Sequence, residues 1–224
     1  MRETDKYLAQ SIIDFKVPRF GENIKNKSDS PSCMFDVRKL LSEPEPYKYI
    51  CNKMAEVVKN DCSGSAVVGL ATSGIAWAAV AGYLTDMPVL YVRKKKEPNV
   101  SDLYLEGTLP SDRRVILIDD LLFAGESKNE ALEILQKEGC IVTDVVVVVD
   151  RQIQRKKDGP PIDQRWGLQF HNLINMSEVV EYMVQTNSIT ESQLQHLILD
   201  YQHFERWDMP DFAKVGDFDE RQNI

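Results

Sequence analysis

Asp119 and Asp120 stand side by side at the end of an apolar run, Val115-Ile116-Leu117-Ile118, and Gly125, Glu126 and Ser127 follow after a short loop. Adjacent carboxylates can accept hydrogen bonds from sugar hydroxyls or face a cation. A loop that opens a helix offers unpaired N–H groups and a partial positive charge, which suits a phosphate. Together the two features describe a grip on a phosphorylated sugar. A solvated strand end followed by a helix cap would use the same residues, and Asp-Asp alone favours that plainer role. Its place between a buried strand and a capped helix favours the site. Successive strand residues point to opposite faces. Both carboxylates therefore serve one ligand only if the chain leaves strand geometry there.

The elements that must position these groups are readable from periodicity. Val115 to Ile118 has no polar face and reads as a buried strand. Ser127 and Glu130 form an S-x-x-E capping box, Ala131, Ile134, Leu135 and Glu138 recur at helical spacing, and Gly139 stops the helix. Val145 to Val149 is a second buried strand, so the unit is a right-handed βαβ crossover in a parallel sheet. Ligands in such sheets sit beyond the carboxyl ends of the strands. A similar unit lies earlier: Ala66 to Leu70 is a strand, Thr72-Ser73-Gly74 a small-residue turn, and an alanine-rich helix runs on to Leu84. That turn is a second amide cradle for phosphate, although small residues also permit tight strand–helix packing. Trp77 reads as core. Pro88 to Val92 is another strand, and Arg93-Lys94-Lys95-Lys96 leaves it at the same rim. Such a run is usually a solvated charge cluster, yet at that rim it would welcome a polyanion. Arg151 follows the valine strand, where a guanidinium can fork onto a carboxylate or cap the strand end against Asp150.

On these residues the chain resembles the type I phosphoribosyltransferases, the orotate branch above all. That family's loop runs roughly hydrophobic-Asp-Asp-x-x-x-Thr-Gly-Gly-Ser; here it is Ile118-Asp119-Asp120-Leu121-Leu122-Phe123-Ala124-Gly125-Glu126-Ser127. The resemblance implies that Asp119 and Asp120 hold the ribose hydroxyls and favour a cationic ribose. Phe123, Ala124, Gly125, Glu126 and Ser127 would hold the 5′-phosphate, and Thr72 and Ser73 would face the pyrophosphate. Tyr91 to Lys95 matches the start of the family's mobile hood loop and Leu105-Glu106-Gly107 its end, which makes Arg93, Lys94 and Lys95 pyrophosphate ligands. Phe20 to Arg38 is similar to an early segment whose lysine, here Lys25, contacts the ligand; a solvated loop lysine fits as well. Arg151 would hold the base. The implied reaction joins orotate to 5-phosphoribosyl 1-diphosphate and releases pyrophosphate, with Mg²⁺ carried mainly by the diphosphate and a homodimer sharing its hood loops.

The chain also departs from the pattern. Ala124 replaces a Thr and Glu126 a small residue. At about 4 Å and an effective dielectric near 20, a carboxylate and a phosphate charge repel by roughly 4 kcal/mol. Glu97, Asn99 and Val100 stand where the hood loop carries Lys, His and Gly. These changes leave open a non-catalytic binding or regulatory module, and because Arg151 alone does not fix the acceptor, a transferase for another base stays open too.

The expected fold is α/β, a central parallel sheet flanked by helices with a small N-terminal hood. One domain would span 1–203, with the hood mainly 1–40 and the core 45–203, followed by an acidic tail over 204–224. Helices are expected over 4–15, 45–60 and in two C-terminal segments capped by Ser177 and Thr190, a strand over 168–174, and a loop or irregular hairpin over 17–32. A net charge of −8 disfavours nonspecific binding to nucleic acid or anionic membrane. No apolar stretch approaches membrane-spanning length and the N-terminus lacks a signal core, so a cytoplasmic location is expected. The 4 cysteines show no C-x-x-C spacing, and no zinc site is expected. His171, His196 and His203, at unrelated spacings, read as packing or surface residues.

Overall fold

The computed structural model describes residues 5–20, 33–93, 104–123, 125–153 and 162–203. Lys25, Lys94, Lys95, Ala124 and the tail over 204–224 lie outside the described residues. The chain opens with helix α1 (Lys6–Asp14) and a hairpin of β1 (Pro18–Phe20) and β2 (Cys33–Phe35), paired antiparallel. A 3₁₀ turn (Val37–Ser42) leads into α2 (Pro44–Asp61), whose prolines sit in the first turn, where no N–H is needed. Then come β3 (Ala66–Leu70), α3 (Ser73–Thr85), β4 (Val89–Val92), β5 (Leu105–Glu106), β6 (Arg114–Leu122), α4 (Glu126–Lys137) and β7 (Ile141–Asp150). Short α5 (Ile162–Trp166), β8 (Gln169–Asn175), α6 (Met176–Gln185) and α7 (Glu191–His203) complete the order.

The main sheet runs β5-β4-β3-β6-β7-β8 and is parallel except for the edge strand β5. Its inner strands are apolar on both sides, as a sheet covered by helices on both faces requires. Val67, Ile116, Ile118, Val146 and Val148 face one core with residues of α1, α2, α3, α6 and the hairpin. Val68, Val115, Leu117, Val145 and Val147 face the other, with Ala131, Leu132 and Leu135 of α4. Leu8, Ile12, Val17, Cys33 and Phe35 of the N-terminal segment join the first core directly. Trp77 is fully buried there, its ring edge-on to Tyr47 at 5.1 Å.

Three expectations are corrected. Strand β6 does not stop at Ile118 but continues to Leu122, because β7 pairs with it as far as Leu122 opposite Asp150. The Ser127–Glu130 capping box does not form. Gly125, with φ of 82°, is the N-cap of α4, and its carbonyl accepts from the amide of Asn129 at 2.8 Å, so the helix begins before Ser127. Likewise Ser177 lies inside α6. Its cap is Asn175 in a box with Glu178, and the Ser177 amide donates to Gln152 instead. Thr190 and Gln193 do exchange the expected bonds, at 2.9 and 3.2 Å.

Candidate active site

The strand register brings the chemistry-bearing residues to one rim. Leu70 lies beside Val92, and Gly69 beside Ile118, so Thr72 and Arg93, which follow their strands, lie at a height similar to Asp120 within β6. Leu122 lies beside Asp150, which adds Phe123 and Arg151 to the same end. Arg93 pairs with Glu106 at 2.7 Å, and its amide donates to the carbonyl of Tyr104.

The two carboxylates are consecutive in β6 and stay close enough to interact. Asp119 meets Lys128 of α4 and Ser73 of α3, and Asp120 lies within hydrogen-bonding reach of the Asp119 carboxylate and of Ser73. Asp119 is 4% exposed. One of its oxygens accepts from Ser73 Oγ at 3.1 Å, the other from Lys128 Nζ at 2.5 Å. The same ammonium also donates to the carbonyl of Leu121. Both oxygens of Asp119 are thus engaged within the protein. Asp120 is the half-buried member; the Arg38 guanidinium is raised chiefly by its 2.6 Å bond to Asp36, with a smaller push from the charge of Asp120. Burial, then the charge of Asp119 beside it, pushes Asp120 up to about 6.

Two amide cradles flank this pair. In the first, the Ala71–Thr72 peptide is cis, Thr72 is exposed, and Ser73 opens α3. Gly74 then brings the helix against β6: a Cβ there would sit 2.4 Å from the carbonyl oxygen of Ile118. In the second, Gly125 turns the chain into α4, and Glu126 and Ser127 supply its first amides. The side chain of Glu126 lies outside the described residues. Phe123 places its ring 5.0 Å from the Arg151 guanidinium.

The phosphoribosyl transferase domain model matches residues 37–164, more than half of the chain. The chain belongs to this phosphoribosyltransferase family. An orotate phosphoribosyltransferase of Pyrobaculum islandicum is 30% identical over 148 residues, 66% of this chain and 74% of that protein. One from Listeria monocytogenes is 28% identical over 207 residues, covering 91% and 98%. The crystal structure of orotate phosphoribosyltransferase from Aeropyrum pernix superposes with a TM-score of 0.68 at 26% identity, covering 80% of this chain and 98% of that one. The fold is therefore that of the type I phosphoribosyltransferases, and the chain is an enzyme of the glycosyl-transferring type.

Within this phosphoribosyltransferase the residue that sequence reasoning missed is Lys128, 3% exposed. A signal for it exists. Lys128 precedes the buried Ala131, Leu132 and Leu135 by three, four and seven positions, so it lies on the apolar stripe of α4. A lysine on a buried stripe needs a buried anion, and Asp119 is that anion. Among the described residues Arg151 is the other buried cation, 2% exposed. Its Nη1 donates to the carbonyl of Cys33 in β2 at 3.1 Å, and its own carbonyl accepts from Tyr201 of α7. Nε and Nη2 have no hydrogen-bond partner among the described residues. No helix among the described residues is long and apolar enough to cross a membrane.

Proposed function

We infer that the chain transfers the phosphoribosyl group of 5-phosphoribosyl 1-diphosphate to orotate, forming orotidine 5′-monophosphate and pyrophosphate. The observation that carries this reading is Arg151. Its Nε and Nη2 form the edge of a guanidinium that pairs bidentately with a carboxylate. A buried guanidinium with two unused donors is costly unless an anion meets it. A base that carries a carboxylate would supply that anion, with Phe123 stacked on the other side of the cation.

The remaining roles follow from the rim. Asp120, ionised above about 6, would accept from the ribose hydroxyls and favour positive charge developing at the anomeric carbon. Amides at the start of α4 would hold the 5′-phosphate, and those after Ala71 the diphosphate. Arg93, with Lys94 and Lys95 beyond it, would stabilise the leaving group. The acidic pair does not fit a cation site of the protein's own, since both oxygens of Asp119 are taken by Ser73 and Lys128. Magnesium would arrive on the diphosphate and neutralise part of its charge. A homodimer that shares its hood loops belongs to the same proposal.

A second reading, a ligand-binding module without turnover, draws on the same engagement of Asp119, which leaves a single carboxylate for the sugar. The decisive assay is loss of orotate absorbance on addition of the diphosphate donor and Mg²⁺. The transferase reading expects turnover that Asp120→Asn abolishes, and an orotate KM that Arg151→Gln raises by about 100-fold, the worth of two charged hydrogen bonds. Tight donor binding without product would establish the module. Turnover with another base alone would show that Arg151 recognises something other than orotate.

A further inference from the structure

The amino-terminal rim of the sheet, opposite the transferase site, holds a cluster that the reaction does not use. Cys62 is the C-cap of α2, Asp144 lies near the start of β7, and His171 lies in β8. A sulfur, a carboxylate oxygen and an imidazole nitrogen from these three residues all lie within 4.8 Å of one another. They converge for identifiable reasons. Between Val115–Val142 and Ile116–Asp144 the ladder of β6 and β7 skips Thr143, a bulge that turns Asp144 toward the α2 face. His171 sits beside Val146 on that same face. Helix α2 ends over these strands and delivers Cys62 there.

We propose that Cys62, Asp144 and His171 bind a single divalent late transition-metal ion, Zn²⁺ by their chemistry, and so tie the end of α2 to β7 and β8. Thiolate, imidazole and carboxylate together form a donor set that zinc accepts, with a fourth position for solvent. His171 Nε2 and Asp144 Oδ1 are 3.0 Å apart. Bonds near 2.0 Å place the ligand atoms of a tetrahedral zinc roughly 3.3 Å apart, so this edge of the tetrahedron is nearly formed. The carboxylate is oriented from behind: the Ser63 amide donates to its other oxygen at 3.0 Å, and Ser63 is in turn held by Arg114 at 2.9 Å. Such outer bonds accompany metal-ligating carboxylates. The charges also balance, because one thiolate and one carboxylate with neutral imidazole cancel a divalent ion. Asp144 is buried, whereas Cys62 and His171 are half-buried, which leaves an entry path. The two ends of the sheet would then divide the work, with transfer at the carboxyl rim and a metal staple at the amino rim.

Cobalt(II) titrated into the full chain is the probe. The expected result is one equivalent bound with the visible bands of a tetrahedral ion and a thiolate charge-transfer band. Cys62→Ser should abolish the charge-transfer band, and His171→Gln should keep it while weakening binding at least 10-fold. Cys62→Ala serves if the serine variant fails to fold, judged by thermal melting in chelator. Asp120→Asn should leave the spectrum unchanged, which separates this site from the transferase rim. A wild-type chain with no such spectrum at about 1 mM cobalt, a weak limit of roughly 4 kcal/mol, overturns the proposal. So does an unchanged spectrum in either Cys62 variant, or one lost in Asp120→Asn.

Discussion

Two neighbouring strand–turn–helix units, β3–α3 and β6–α4, share one architecture and close their turns by different means. In the first, Gly74 removes the side chain so that helix and strand backbones meet, with a would-be Cβ 3.2 Å from the Asp119 carboxylate. In the second, Gly125 supplies a left-handed turn, and Lys128 sends its ammonium back beneath it to Asp119 and the Leu121 carbonyl. One turn is closed by packing, the other by charge. Asp119 joins them, since it accepts from Ser73 of α3 and from Lys128 of α4. Asp120, adjacent in sequence, differs in that burial and the charge of Asp119 push it up to about 6.

The most direct way to break this comparison is to remove the charge. Lys128→Met leaves the Asp119 carboxylate buried with only a hydroxyl partner. The expected loss is about 3–5 kcal/mol, the usual cost of breaking a buried pair from one side, read from urea denaturation. Lys128→Met combined with Asp119→Asn should recover most of it, because the orphaned charge is gone. If the single variant loses less than about 1 kcal/mol, in the range of exposed pairs, the second turn is held by packing like the first.

The next effect separates the two carboxylates. Asp120 is pushed up to about 6 from 3.8 by burial and then by Asp119. The folded chain therefore binds this proton more tightly than the unfolded chain. Its contribution is largest at low pH, is lost at about 1.4 kcal/mol per pH unit as pH rises from about 4 to about 6, and is level above that. Asp150, pushed up to about 6 by burial, slopes the same way, while Asp36, held low by its bond to Arg38, slopes the other way. Comparing Asp120→Asn with wild type isolates the one group. The variant should be more stable by up to about 3 kcal/mol at pH 7, with the gap closing toward pH 4, while its turnover is lost. Equal melting curves at both pH values would show that Asp120 is solvated.

How much of this was legible in the sequence depends on which physical signal each feature leaves. The parallel sheet was readable because a doubly covered strand must be apolar throughout, and Val145 to Val149 can be little else. The true end of β6 was hidden because Asp119 and Asp120 look like a strand's exit, whereas pairing with β7 keeps them in the ladder. The caps were misread where a glycine or asparagine two residues earlier won, at Gly125 and Asn175, since φ above zero and side-chain reach do not show in spacing. Lys128 was visible in principle on the stripe of α4. The convergence of Cys62, Asp144 and His171 was not, because three elements far apart in the chain and a bulge at Thr143 create it.

Space and conformation can be told apart at the two glycines. Gly74→Ala drives a methyl into the backbone of β6, where neither partner has a flexible end to move. The expected cost is about 1–3 kcal/mol, as for overpacking generally, and Gly74→Asn should cost more than Gly74→Ala. Chemical denaturation of both variants decides it, and a neutral alanine variant would mean that α3 can shift away from Ile118.

Gly125 should respond in the opposite order. Its φ of 82° strains any side chain placed there. Alanine in that region costs about 1 kcal/mol, whereas asparagine visits it more readily and is also a favoured N-cap residue that accepts from a first-turn amide. Gly125→Asn should therefore be less destabilised than Gly125→Ala, by roughly half a kcal/mol or more. The same reversal should appear in donor binding, because the amides that follow Gly125 keep their direction only if the turn does. If asparagine is worse than alanine at both positions, the second turn is crowded like the first, and the distinction between a turn closed by packing and one closed by charge fails at its own hinge.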